Sequence, residues 1–208
     1  ICASHAGITV GEDGASHQTF EDIALMRTIP GMTVVNPSDA TATKKLLAQI
    51  IDTEGPCYFR VGRASVPVFY GEEDEILLGK GNLVKDGKDI TIIATGIMVA
   101  SAFEAAEELA AEGIDARVID IHTIKPIDEE IIIKAAQETG AIVTAEEHSI
   151  IGGLGDAVAQ VVVKNSPCRI EMVGQQDTFG ESGKPDELRA KYHMTTNDIV
   201  DAVHKLLK

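Results

Sequence analysis

Between His5 and His17 the chain places two imidazoles, two acids and three glycines: His5, Gly7, Gly11-Glu12-Asp13-Gly14, Ser16 and His17. The stretch is too polar to be core. Its glycines let the backbone approach a bound molecule closely. A histidine that exchanges a proton near neutrality, set beside Asp13, is suited to handling a hydroxyl or carbonyl group. The same composition also describes a hydrogen-bonded turn ahead of a helix, with Ser16 or Asp13 as the cap, and residue types alone leave both readings open. Arg63 is a second candidate, because a guanidinium at a strand end matches the geometry of a phosphate. A surface ion pair is the plainer alternative for Arg63 in so acidic a chain. Arg60, three residues earlier, is predicted to face the other side of its strand.

The elements that must position these residues alternate between strand and helix. An apolar start over 1–10 runs into the polar loop 11–18, followed by a predicted helix over 19–28 that Pro30-Gly31 stops. Met32–Val35 reads as a short buried strand. Ser38 and Asp39 offer helix-start oxygens for 39–52, and Gly55-Pro56 turns the chain into a strand over Cys57–Val61. The acidic stretch 66–78, with Phe69-Tyr70 expected to be exposed, reads as a solvated linker. Beyond it, a ribbon over 76–85 is expected to turn at Asp86-Gly87 as a hairpin. Strands over Ile90–Ala94, Ala116–Ile121, Ala141–Ala145 and Arg169–Val173 alternate with helices near 97–112, 126–138, 154–164 and 196–207. The predicted fold class is therefore α/β: two domains with mostly parallel sheets flanked by helices, the first incomplete at its N-terminus. The expected division is 1–65, a linker at 66–78, and 79–208.

Composition narrows the function classes. Lys+Arg number 18 against 33 Asp+Glu, a net charge of −15, which argues against nucleic acid or an anionic membrane as partner. No apolar run approaches the ~18 residues of a membrane span. Cys2, Cys57 and Cys168 show no metal-ligand spacing and are expected to be buried, reduced thiols. The opening Ile1-Cys2-Ala3 carries no signal-peptide pattern, so the expectation is a cytoplasmic protein cut inside a domain. Gly152-Gly153-Leu154-Gly155 opens a helix but is not a dinucleotide fingerprint, and Glu146-Glu147 would repel a pyrophosphate. Close helix packing or a modest anion spot is expected there. His122 and His148 read as hydrogen-bonded structural residues, His193 and His204 as surface positions, and Lys125-Pro126 as an ordinary turn.

The segment Ser4–Gln18 resembles the sugar-phosphate-binding segment of transketolases. The likeness continues through Ile29–Asp39, Gly55–Arg63, Ile119–Asp128 and Glu146–Gly155 in the right succession, covering nearly the whole chain. Deoxyxylulose-phosphate synthases are similar over the Gly-Glu-Asp-Gly loop but usually carry Asp where this chain has His5. Gln18 after His17 also leans toward transketolase.

This resemblance implies the back part of a pyrimidine-binding domain followed by a complete transketolase C-terminal domain. It implies transfer of a two-carbon ketol unit between sugar phosphates in the pentose phosphate pathway, with thiamine diphosphate and Mg²⁺ in the complete enzyme. His5, Asp13 and Arg63 would be substrate-binding, Arg63 through the terminal phosphate and Asp13 through a hydroxyl near the cleaved bond. His17 would be catalytic, assisting proton movement on the substrate oxygens. The metal-anchoring Gly-Asp-Gly pattern and the cofactor-activating glutamate have no counterpart here, so no cofactor is expected on this chain alone. An N-terminal transketolase section and a homo- or hetero-oligomer are the implied partners. The alternatives are a fragment of 1-deoxy-D-xylulose-5-phosphate synthase, or a non-catalytic assembly or dimerisation module.

Overall fold

The computed structural model describes all 208 residues. Two sheets form its frame. The first contains β1 (Cys2–Ala3), β3 (Cys57–Arg60), β2 (Thr33–Val35) and β7 (Thr123–Lys125), in that spatial order. β1, β3 and β2 are parallel, whereas β7 runs antiparallel to β2. The second contains β4 (Asn82–Lys85), β6 (Ala116–Asp120), β5 (Ile90–Ala94), β8 (Ala141–Ser149) and β9 (Arg169–Gln175) in that order. It is parallel except for the edge strand β4. Every residue of β5 and β6 is buried, as central strands covered on both faces require.

The helices are α1 (Asp22–Thr28), α2 (Ala40–Ile51), α3 (Met98–Ala111), α4 (Glu129–Thr139), α5 (Leu154–Asn165), α6 (Pro185–Lys191) and α7 (Thr196–Leu207). Local chemistry sets several of their limits. Asp39 accepts from the Ala42 N–H at 2.8 Å and starts α2. Thr195 and Asp198 form a reciprocal capping box on α7. Gly140, in the left-handed conformation, closes α4.

The two sheets share their cores. One apolar cluster joins Ile8 and Phe20 to Ile90, Ile92 and Leu188. Another joins Ile23, Val34 and Tyr58 to Ile93, Ile119 and Val158. The first 65 residues are thus packed against the second sheet as well as against their own.

Several local expectations change in the folded chain. The helix expected from residue 19 begins at Asp22, because Thr19 O receives the Gly7 N–H and Phe20 O receives the Ser149 N–H. Asp86-Gly87 is not a hairpin turn: β4 pairs with β6, not with β5. Gly87 lies so close to the backbone of Ala116 and Arg117 that no Cβ fits, and the chain crosses the end of β6 there. Tyr70, expected to be exposed, is buried, and both Phe69 and Tyr70 donate their N–H groups to Asp39 Oδ2 at 3.0 Å. Cys2 is exposed and Cys57 and Cys168 are half-buried, so the three free thiols are not core residues. Ser38 does not cap α2; its hydroxyl donates to Asp120 Oδ2 at 2.6 Å. Lys125-Pro126 is a cis peptide bond, and Thr123–Lys125, not anticipated as a strand, extends the first sheet.

Candidate active site

Residues 4–18 divide into a buried floor and an exposed rim. The floor is Ala6, Ile8, Thr9 and Val10, each 4% exposed or less, with Ile8 inserted in the large core cluster. The rim is His5, Glu12, Asp13, Ser16 and His17, all open to solvent. A 3-10 segment, Ile8–Asp13, broken at Gly11 (φ 78°), carries the chain from floor to rim. His5 itself has φ 66°, a left-handed conformation that a non-glycine residue rarely adopts. Gly14 N–H donates to Gly11 O, and His17 N–H to Gly14 O, which tightens the return. The loop follows the carboxyl end of the parallel strand β1, the side on which open α/β sheets hold their ligands.

Two of the four expected site residues meet directly. Arg63 donates to Asp13 Oδ2 at 3.2 Å and to the Val10 carbonyl, and lies 4.0 Å from Glu12. The Arg63 side chain is 41% exposed, so these ion pairs are weakly held and open to exchange for a dianion. His5 and His17 are each bonded only to the serine before them, His5 Nδ1 to Ser4 Oγ and His17 Nδ1 to Ser16 Oγ, both at 3.0 Å. Neither imidazole is bonded to Asp13 or Arg63. A cleft of about 560 Å³, lined in part by Pro37, Asp39, Lys44, Gly62 and Ala64, opens beside Arg63 at the carboxyl ends of β2 and β3.

Beneath the loop lies a buried polar network. Arg60, 2% exposed, donates to Asp22 Oδ2 at 2.8 Å and to the Glu147 carbonyl at 2.8 Å. Tyr58 donates its hydroxyl to the same Asp22 oxygen at 2.7 Å, and burial pushes its pKa up. Arg60 is therefore spent inside the protein. Glu147 Oε1 accepts from the Thr9 N–H at 2.7 Å, while burial raises the carboxyl's pKa against the pull of Arg60. Gln18 Nε2 donates to Glu181 O at 2.8 Å and also reaches Gly11 O and Ile8 O. Neither Glu147 nor Gln18 stands out as a site residue by type. The available signal is a pair of acids, Glu146-Glu147, continuing an otherwise apolar strand.

The neighbouring groups are structural. Glu146 accepts from Leu154 N–H at 2.6 Å and Gly155 N–H at 2.8 Å, so the start of α5 is already occupied by an internal carboxylate. Its pKa is raised to about 7 by burial, against those hydrogen bonds. Arg27 donates to Gly153 O at 2.8 Å and to Gly152 O, tying α1 to the same turn. His148 accepts from Ala24 N–H through Nε2 and donates to Ser149 O at 2.7 Å through Nδ1, which defines its neutral tautomer. Burial lowers its pKa to about 4. His122 is likewise buried, bonded to Thr123 and Asn82, and lowered to about 4. His193 and His204 bond Asp198 and Glu112 near the surface.

At the other end of β6, Asp120 is fully buried. It receives Ser38 Oγ at 2.6 Å and the Tyr70 hydroxyl at 3.2 Å, both on Oδ2, while Oδ1 has no partner. Burial drives its pKa to about 7. No group of three or more His, Cys, Asp or Glu side chains is placed to hold a metal ion. No helix is long and apolar enough to cross a membrane.

An α/β frame with a glycine-bordered, His- and Asp-bearing loop at the carboxyl end of a parallel strand is an arrangement that can hold a small polar ligand. Comparison with known proteins gives the family. The transketolase pyrimidine-binding domain matches residues 1–68 and the transketolase C-terminal domain matches residues 79–199. The chain belongs to the transketolase family.

A 6-deoxy-6-sulfo-D-fructose transketolase subunit from a Clostridium species is 46% identical over 206 residues, covering 99% of this chain and 64% of that protein. An apulose-4-phosphate transketolase subunit from Phocaeicola vulgatus is 43% identical over 209 residues, covering 100% of this chain and 67% of that protein. The solved structure of a split-gene transketolase, an inactive beta4 tetramer, superposes with a TM-score of 0.93 at 49% identity, over 100% of this chain and 66% of that one. The chain thus spans about two thirds of the length of these relatives.

The family generally uses thiamine diphosphate. No metal-ligating cluster exists.

Proposed function

We propose that this chain is the C-terminal section of a thiamine-diphosphate-dependent transketolase and moves a two-carbon ketol unit between sugar phosphates in the cytoplasm, within the pentose phosphate pathway. Its working form includes an N-terminal section that holds the cofactor and Mg²⁺, in an oligomer of the two. Residues 1–65 serve as the pyrimidine-domain part, 66–78 as the connection and 79–208 as the C-terminal domain.

The supporting observation is the rim of His5, Asp13 and His17, held open to solvent on a floor that is almost wholly buried. A rigid floor with polar groups aimed outward can orient a flexible sugar without being reshaped by it. In this reading His5 and Asp13 take substrate hydroxyls, Arg63 takes the anionic end, and His17 moves a proton on the substrate oxygens. A neutral imidazole donates one hydrogen bond and accepts another, which suits a hydroxyl that is itself both donor and acceptor. The two relatives are named for a sulfonated and a phosphorylated sugar. Both end groups are anions that one guanidinium can bind, so Arg63 accommodates either.

The test is reconstitution with an N-terminal transketolase section. The mixture should convert xylulose 5-phosphate and ribose 5-phosphate by ketol transfer, and each chain alone should not. If the assembly consumes pyruvate with glyceraldehyde 3-phosphate and ignores the ketose, the synthase reading replaces this one.

A further inference from the structure

The rim residues are held by parts of the chain distant in sequence. Three contacts from residues 147–185 reach the loop. Glu147, on β8, accepts the Thr9 N–H at 2.7 Å, and its carboxylate occupies the space into which a Cβ on Gly7 (φ 88°) would project. Gln18 ties the far end of the loop to Glu181 O at 2.8 Å. Gly11 and Gly14 abut Gly183, Pro185 and Ser182, so the start of α6 presses on the turn that presents Asp13. Of these, Glu147 bears on the stretch between His5 and Asp13, where both glycine conformations and the 3-10 segment must be kept in one arrangement.

We infer that Glu147 is a positioning residue for the rim: it pins the backbone at Gly7–Thr9 and thereby sets where His5 and Asp13 stand. This rests on the transketolase reading for its catalytic consequence, but not for its structural one. Glu147 is 2% exposed, and its carboxylate accepts a backbone N–H of the buried floor. A buried donor left unmet is costly, so the loop returns to this geometry after any displacement. The interaction needs reach more than charge. Arg60 bonds the Glu147 carbonyl and acts on the carboxylate only through space. A displacement of about 1 Å in a residue that orients substrate can cost on the order of a hundredfold.

This makes an ordering that a charge-based or purely stabilising role would not give. Glu147→Gln keeps the length and an acceptor oxygen for Thr9, and should leave the donor-ketose KM of the reconstituted enzyme within about twofold of the parent. Glu147→Asp keeps the charge but withdraws the oxygen by about one methylene, and should raise that KM about five- to tenfold with kcat changed less than about threefold. Glu147→Ala should exceed Asp if it folds. In the isolated chain, the His5 ring resonances should move in Glu147→Asp and stay in place in Glu147→Gln.

KM values for Asp and Gln that both match the parent, with unmoved resonances, would overturn the inference. So would a Gln variant worse than Asp, since that would make charge the requirement. If the wild-type assembly shows no ketol transfer, the transketolase reading fails separately, and the ring resonances still decide the positioning role.

Discussion

Asp120→Asn should make the protein more resistant to raised pH. Asp120 is fully buried, with Oδ1 unpartnered and no cation among the causes of its shift, and its pKa is raised from 3.8 to about 7. In the unfolded chain it would ionise near 3.8. Between these values the folded state holds a proton that the unfolded state has lost, so ionisation favours unfolding as pH rises. The penalty is absent well below 3.8, grows through the window, and is fully present above about 7. Each pKa unit corresponds to about 1.4 kcal/mol, so going from about pH 5 to about pH 8 costs the parent roughly 2–3 kcal/mol at this one site. Asparagine offers the same acceptor oxygen to Ser38 and Tyr70 and cannot ionise. Urea unfolding of both proteins at about pH 5 and about pH 8 provides the assay, because Glu146, His122 and His148 titrate alike in both and cancel. The variant's stability relative to the parent should improve by roughly 2–3 kcal/mol between the two pH values, or about 4–12 °C in Tm for a chain of this size. A relative stability that is the same at both pH values within about 0.5 kcal/mol would refute the reasoning.

Arg63→Ala in the reconstituted enzyme should raise KM for phosphorylated substrates about ten- to a hundredfold, from the loss of a charge-assisted contact of roughly 1.5–3 kcal/mol, and much less for unphosphorylated analogues; equal effects on both would remove Arg63 from the anion site. His5→Ala should mainly raise the donor KM and His17→Ala mainly lower kcat, and steady-state kinetics showing the reverse split would exchange their roles. Arg60→Ala leaves Asp22 as an uncompensated buried charge and the Glu147 carbonyl without its donor. It should cost about 3–5 kcal/mol by urea denaturation, and a loss under about 1 kcal/mol would mean that water replaces the guanidinium.

The alternation of apolar runs with capped, amphipathic stretches is enough to place β5, α3, α5 and α7 close to their observed limits. That is a local matter. Asp39 and the Thr195–Asp198 pair act within one turn of themselves, and a 3.6- or 2-residue period is written directly in the chain. The loop from His5 to His17 is legible for the same reason, since glycines and polar groups crowded into so few residues cannot be core. Its chemistry is readable only as a residue set, because type and spacing do not say which side chains meet. The pairing of Arg63 with Asp13 spans 50 positions and exists only in the fold.

Tertiary structure decided the rest. Asp86-Gly87 has the composition of a hairpin, yet β4 pairs with β6, because both edges of β5 are already hydrogen-bonded to the parallel strands β6 and β8. Thr123–Lys125 is too short to carry a period and becomes a strand only by finding the free side of β2. Glu147 reads in the sequence as an acid unfit for a ligand site, and no pattern announces that the Thr9 N–H lies 2.7 Å from it across 138 positions. Asp120 likewise carries an ordinary carboxylate in the sequence. Its raised pKa comes from the water removed when Ser38, Tyr70 and β6 close around it, and desolvation is a property of the assembled interior, not of any residue in it.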